Sequence, residues 1–179
     1  MGKPQLEMQS GSLDNLPEVA LPASYVVRTY RDGDAADWCR LVAAGIGGEY
    51  DGKAFRSSTA GASGFDPEGL FFAEHDGQTV GTACAIWSSS YPEDTGYLHM
   101  VAVDPMHQGR GLGRALTVAV LRRLRRRGFR RAVLQTDDFR LPAIRLYLSL
   151  GFRPRLSHES HEGRWREVYR ELGVSGASR

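Results

Sequence analysis

The chain has 179 residues, 41% of them hydrophobic and 25% charged, with a formal net charge of +2. That length suits one domain with a core of ordinary size, and so small a net charge gives no argument for a nucleic-acid partner. Nothing in it approaches the roughly 20 continuous apolar residues of a membrane span. Cys39 and Cys84 stand in apolar segments without metal-ligand spacing, as expected of buried thiols in a reducing compartment.

Residues 1–24, "MGKPQLEMQSGSLDNLPEVALPAS", carry no apolar signal core and read as a flexible tail, with the cytoplasm as the expected location. "YVVRTYR" (25–31) has strand composition. "DGDAADWCRLVAAGI" (32–46) predicts a helix capped by Asp32 or Asp34, with Ala35, Trp38, Leu41 and Val42 at helical spacing. The Gly- and Ser-rich stretch 47–69 predicts a loop or short irregular helix, of a length that tends to be functional. "LFFAEHDGQTVGTACAIWSS" (70–89) predicts a hairpin turning at Asp76-Gly77.

"YLHMVAVDP" (97–105) is a further strand, stopped by Pro105. "QGRGLG" (108–113) follows, then a helix from about Gly111 to Arg127 with Leu112, Leu116, Val120 and Leu124 on one face. Nine arginines lie between Arg110 and Arg131; without interleaved aromatics, the cluster at 122–127 reads as a solvated helix face. "RAVLQTD" (131–137) predicts a strand, and "LPAIRLYLSL" (141–150) a helix with Pro142 in its first turn. From Arg153 onward, "RWREVYREL" included, the chain reads as strand pieces joined by a polar turn. This order predicts a mixed α/β (α+β) fold, not an alternating doubly wound one. The domain spans 25–172, with 173–179 as a C-terminal tail.

The glycine-punctuated loop is the strongest chemical signal. A helix that begins near Gly111 leaves its first N–H groups without intrahelical partners, and these favour an anion by about 0.3–1 kcal/mol. Gln108, Arg110 and Arg114 can add donors. A nucleotide P-loop requires Lys-Ser/Thr after its glycines, where this chain has Arg114-Ala115. A dinucleotide fingerprint requires Gly-x-Gly-x-x-Gly in a parallel βαβ unit, and here the register is Gly-x-Gly-x-Gly behind a hairpin. A glycine-rich turn without any ligand stays open on this motif alone.

"VAVDPMHQGRGLGRAL" resembles the acetyl-CoA-binding signature of the GNAT acetyltransferase superfamily, and "AIRLYLSLGF" (143–152) resembles its second signature, in the right order and at the right separation. The resemblance covers about residues 25–170. It implies a mostly antiparallel central sheet with splayed central strands, flanked by helices, and acetyl-CoA as cosubstrate. It places the pantetheine arm along Val101, Ala102 and Val103, and the pyrophosphate on Gln108, Gly109, Arg110, Gly111, Leu112, Gly113 and Arg114. Tyr147 matches the tyrosine that protonates the leaving thiolate; packing in the core is the alternative for it. Many members carry Asn where this chain has Arg140, which either reaches a phosphate or faces solvent.

The general base is less determined. His99, two residues before Val101 and hence expected on the same face, resembles the histidine of the Leu-His-x-x-Ala-Val pattern in arylalkylamine acetyltransferases; a structural histidine is an equal reading. Where some protein acetyltransferases carry Glu, this chain has Gln135, and Asp137, Asp138, Glu49 and Tyr50 are weaker candidates. The expectation is a metal-free N-acetyltransferase acting on a small-molecule amine, with no nucleic-acid or membrane partner and with a homodimer allowed. A protein or peptide acceptor, or an acyl-CoA sensor without turnover, are the alternatives.

Overall fold

The computed structural model describes residues 3–60 and 65–174. Seven strands, mostly antiparallel, and five α-helices give the expected mixed α/β architecture among these residues. The chain divides into two compact units, Ser12–Ala132 and Met1–Gly11 with Val133–Arg179. Most of the expected C-terminal tail, 175–179, lies outside the described residues.

In the larger unit, β2 (Tyr25–Thr29), β3 (Leu70–His75), β4 (Gln78–Ile86) and β5 (Thr95–Val103) pair antiparallel in chain order. The β3–β4 turn falls on Asp76-Gly77, where φ is 47° and 78°; two left-handed residues make the turn whose twist suits a hairpin. Helix α1 (Ala35–Ile46) buries Trp38, Leu41 and Val42 against one sheet face, in a cluster with Phe55, Leu70, Phe72, Cys84 and Ala102. At its N-terminus the Asp34 carboxylate takes the Arg31 N–H at 2.6 Å and both arms of the Arg28 guanidinium at 2.6 and 2.9 Å. Burial pushes the Asp34 carboxyl up, but these hydrogen bonds outweigh it and hold the group below its ordinary range.

Helix α3 (Leu112–Arg126) covers the other face with Leu112, Leu116, Val120 and Leu124, as the spacing predicts. Gly96 makes its approach to β5 feasible, because any Cβ there would collide with the Leu124 side chain. In the 47–69 stretch, of which 61–64 lie outside the described residues, the short irregular helix is the alternative found: α2 (Gly52–Phe55) is capped by Asp51 and continues into a π-helical turn, Arg56–Ala60, and Pro67–Gly69 forms a 3-10 turn. The arginine face is solvated as expected at Arg122, Arg125, Arg126 and Arg127, and only Arg123 among these is half-buried. Arg123 pairs with Asp66 at 2.6 Å and Glu68 at 2.7 Å, and Arg127 stacks over Trp87.

The smaller unit differs from expectation at both ends of the chain. Residues of the supposed tail form β1 (Leu6–Gln9), inserted antiparallel between β6 (Arg131–Thr136) and β7 (Arg153–Arg155), with Leu6 and Met8 fully buried. Of the strand pieces expected from Arg153 onward, Arg153–Arg155 is a strand, but "RWREVYREL" lies in a helix, α5 (His161–Leu172). His161, Trp165, Val168 and Leu172 recur every three to four residues and form its buried face, a period that outweighs the strand propensity of Trp, Val and Tyr. Helix α4 (Leu141–Ser149) completes the unit. Among the described residues no helix is long and apolar enough to cross a membrane.

Candidate active site

The loop after β5 is built to receive an anion. Asp104 caps the 3-10 turn Pro105–His107 by accepting from the Met106 N–H at 2.9 Å, and Gln108 Nε2 donates to the Val103 carbonyl at 3.2 Å. Gly109 and Gly111 then take φ of 75° and 80°, which L side chains rarely adopt. A Cβ on either glycine would meet no protein atom within 4 Å. Their backbone is therefore open to a ligand, and left-handed geometry rather than crowding selects glycine. Gly111 is the N-cap of α3 and no side chain caps the helix. The first intrahelical bond runs from the Ala115 N–H to the Gly111 carbonyl at 3.0 Å, so the N–H groups of Leu112 and Gly113 lie ahead of it at the positive end of a 15-residue helix. The Leu112 side chain is core, leaving only its backbone for a ligand. Arg110 is exposed and its guanidinium sits 5.9 Å from the Tyr25 ring centroid.

His99 requires a correction. Thr82 pairs with Ala102 but Cys84 pairs with His99, so Ala83 faces two residues, Met100 and Val101. Met100 carries the extra step of this bulge with φ of 49°. Alternation breaks there. Val103 pairs with Gly81, whose Cβ direction meets Leu116 of α3, so Val103 and Val101 face α3. Ala102 and Cys84 belong to the α1 cluster, and His99 shares the face of its partner Cys84. His99 and Val101 thus lie on opposite faces.

On the α1 face the half-buried imidazole hydrogen-bonds the Ser58 backbone, and burial pushes its pKa down to about 4.

The other sequence candidates belong to the smaller unit. Tyr147, on α4, is 7% exposed and packs on Phe152 with ring centroids 5.9 Å apart. Burial raises its phenol to about 12, so it keeps its proton throughout the working range. Arg140, at the α4 N-cap, is committed locally: its Nε donates to Asp137 at 2.9 Å and its guanidinium lies 5.0 Å from the Phe139 ring centroid. Gln135 donates to Glu7, its cross-strand partner, at 3.2 Å, so a carboxylate from β1 stands beside the position where a base was sought.

A family model described as the acetyltransferase (GNAT) family matches residues 34–152. The chain belongs to the GNAT family. It is 39% identical over 142 residues to a protein named mycothiol acetyltransferase from Thermomonospora curvata, covering 76% of this chain and 47% of that one. A protein of the same name from Acidothermus cellulolyticus is 37% identical over 165 residues, covering 83% and 50%. The crystal structure of a GCN5-related N-acetyltransferase from Sphaerobacter thermophilus superposes with a TM-score of 0.69 at 26% identity, covering 86% of this chain and 50% of that one. The chain spans about half the length of the curated relatives it matches.

For a GNAT chain the expected anion is the pyrophosphate of coenzyme A, and the loop fits it on its own terms. Two glycines open the backbone, the helix end supplies N–H groups, and Arg110 supplies charge. Among the described residues no group of three or more His, Cys, Asp or Glu could hold a metal. Sequence reasoning missed two features of the site: the bulge at Met100 and the Ser58 contact to His99. Methionine is not a residue that signals a left-handed position, and Ser58 sits 41 residues from its partner, so no local pattern betrays either.

Proposed function

We propose that the chain is an acetyl-CoA-dependent N-acetyltransferase that acts on the primary amine of a small molecule by direct attack on the thioester. The observation that carries this reading is the uncapped α3 N-terminus behind two left-handed glycines, in a chain of the GNAT family. Relatives named for mycothiol support a mycothiol-related small-molecule acceptor over a protein.

When bound, acetyl-CoA supplies a thioester carbonyl activated toward amines. The 108–114 backbone and Arg110 hold the pyrophosphate, and Val101, Ala102 and Val103 align the pantetheine arm. The bulge takes Met100 and Val101 out of register with β4, and a backbone N–H there polarises the carbonyl. His99, neutral at working pH, accepts a hydrogen bond from the already neutral amine and orients its lone pair. A group of pKa about 4 is too weak to deprotonate an ammonium, so water takes that proton. As the N–C bond forms and the C–S bond breaks, the second amine proton leaves to water. The resemblance to the second family signature assigns to Tyr147 a hydrogen bond to the departing sulfur. With its phenol near 12 and a thiol near 8.5, full transfer is uphill by about 5 kcal/mol, so stabilising the thiolate is its main contribution.

The test is twofold. Acetyl-CoA should raise the melting temperature where NAD and ATP do not, and a panel of amines, peptides and aminoglycosides should release free thiol from acetyl-CoA. Equal thermal shifts with ATP would remove the cofactor assignment; thiol release with peptides alone would remove the small-molecule acceptor.

A further inference from the structure

Upstream of the bulge, β5 carries an aromatic feature that the donor loop does not use. Gly96 faces α3, so by alternation Tyr97 and His99 share the opposite face. Their rings are 5.6 Å apart and tilted by 52°. Tyr91, from the turn before the strand, stacks on Tyr97 with centroids 5.8 Å apart and planes at 28°. Both tyrosines are half-buried, and the cross-strand partner of Tyr97 is Ile86, which packs on the α1 core. Three rings thus run from Tyr91 through Tyr97 to His99.

This run points away from the donor. Val103 leads directly into the pyrophosphate loop, whereas Tyr97 lies two residues beyond His99 in the other direction, about 7 Å further along the strand. An amine hydrogen-bonded to His99, with its substituents directed away from the donor loop, meets Tyr97 next, 5.6 Å from the His99 ring.

We propose that Tyr97, braced by Tyr91, seats the body of the acceptor, so that preferred acceptors carry a ring close to the amine. This rests on the acetyltransferase reading. The recognised chemistry is a ring with a flat apolar face, either an aryl π-face or the C–H face of a sugar or cyclitol. A phenol ring stacks on either, and a linear chain covers less of it.

The test compares benzylamine, glucosamine and n-hexylamine as acceptors for the wild type, Tyr97→Ala, Tyr97→Phe and Tyr91→Ala. Tyr97→Ala should lower kcat/KM for the ring-bearing amines about three- to tenfold relative to n-hexylamine, the usual worth of one ring contact. The loss should appear in KM more than in kcat, and the acetyl-CoA Kd should stay within about twofold of wild type. Tyr97→Phe should restore the preference. Loss with benzylamine alone identifies an aryl acceptor, and loss with glucosamine alone a sugar-like one. An equal loss with all three amines, or none, overturns the proposal. Binding of the two ring amines in the presence of CoA, read by titration, separates the two claims. A wild type that binds them in a Tyr97-dependent way but releases no thiol refutes the activity and keeps the platform. Turnover and binding that ignore Tyr97 refute the platform and keep the activity.

Discussion

Acidification below pH 6.5 should destabilise this protein through His99. The free imidazole titrates near 6.5, whereas burial holds His99 at about 4 in the folded chain. Because the folded value is depressed, the unfolded chain takes up the proton first. The contribution of the neutral ring is whole above pH 6.5, falls away as pH drops toward 4, and levels off below that. The gap of roughly 2.5 units is worth about 3 kcal/mol in full, and about 2.5 kcal/mol is already lost at pH 4.5. Asp34 and Asp138, both held below the ordinary carboxylate range, act in the same direction only at lower pH, and the difference between wild type and His99→Gln isolates the His99 part. Urea unfolding at pH 7.0, 5.5 and 4.5 should show this loss in the wild type, and His99→Gln should remove most of it. NMR of the imidazole should show no titration above about pH 5. A ring that titrates near 6.5, or a variant with the same acid slope as wild type, would refute the reasoning. The same shift predicts that the pH profile of kcat/KM rises through the acceptor's own amine pKa and shows no His99 limb near 6.5.

Three further perturbations read other parts of the molecule. Gly111→Ala forces a side chain into φ of 80° in open space, which costs the fold about 1 kcal/mol, or about 2–4 °C in Tm, while the methyl group intrudes on the anion cradle. Isothermal titration should show at least a roughly tenfold weaker acetyl-CoA Kd, and an unchanged Kd would take Gly111 out of the site. Tyr147→Phe should lower kcat by roughly ten- to hundredfold, the worth of a hydrogen bond to a charged sulfur, with acetyl-CoA binding preserved; unchanged turnover removes Tyr147 from the mechanism. Asp34→Ala removes the carboxylate oxygens at 2.6 and 2.9 Å from the half-buried Arg28 guanidinium, leaving it Glu74 and the Thr29 carbonyl. It should destabilise by about 3 kcal/mol in urea unfolding, and a loss under about 1 kcal/mol would show the pair to be dispensable.

Periodicity made most of the larger unit legible. The hairpin at Asp76-Gly77, the apolar stripe of α3 and the helix over 35–46 each follow from spacing and turn chemistry that act within ten residues. The two ends of the chain did not yield to the same reasoning. Strand β1 is four residues long, and what makes Leu6 and Met8 a core is pairing with Val133–Thr136, more than 120 residues away. A segment that short has no pattern of its own to read. In α5 the period was present, but Arg and Glu interrupt it so densely that Trp165, Val168 and Tyr169 resemble isolated strand residues.

The site shows the same division more sharply. The donor loop was legible because glycine is the residue that left-handed backbone selects, and the chain needs that geometry twice in three residues. The acceptor side was not, because its geometry turns on Met100, where a positive φ is imposed by the β4–β5 pairing rather than by the residue. That single inserted step sets the faces of the strand. Below it Val101 and Val103 turn toward α3 and lead into the phosphate loop; above it His99 and Tyr97 turn toward α1 and the 47–60 segment. With regular alternation, His99 would project toward the same face as Val101, away from Ser58 and the core cluster that depress its pKa. The bulge thus makes two surfaces from one strand, and puts His99 on the face where burial keeps its imidazole neutral.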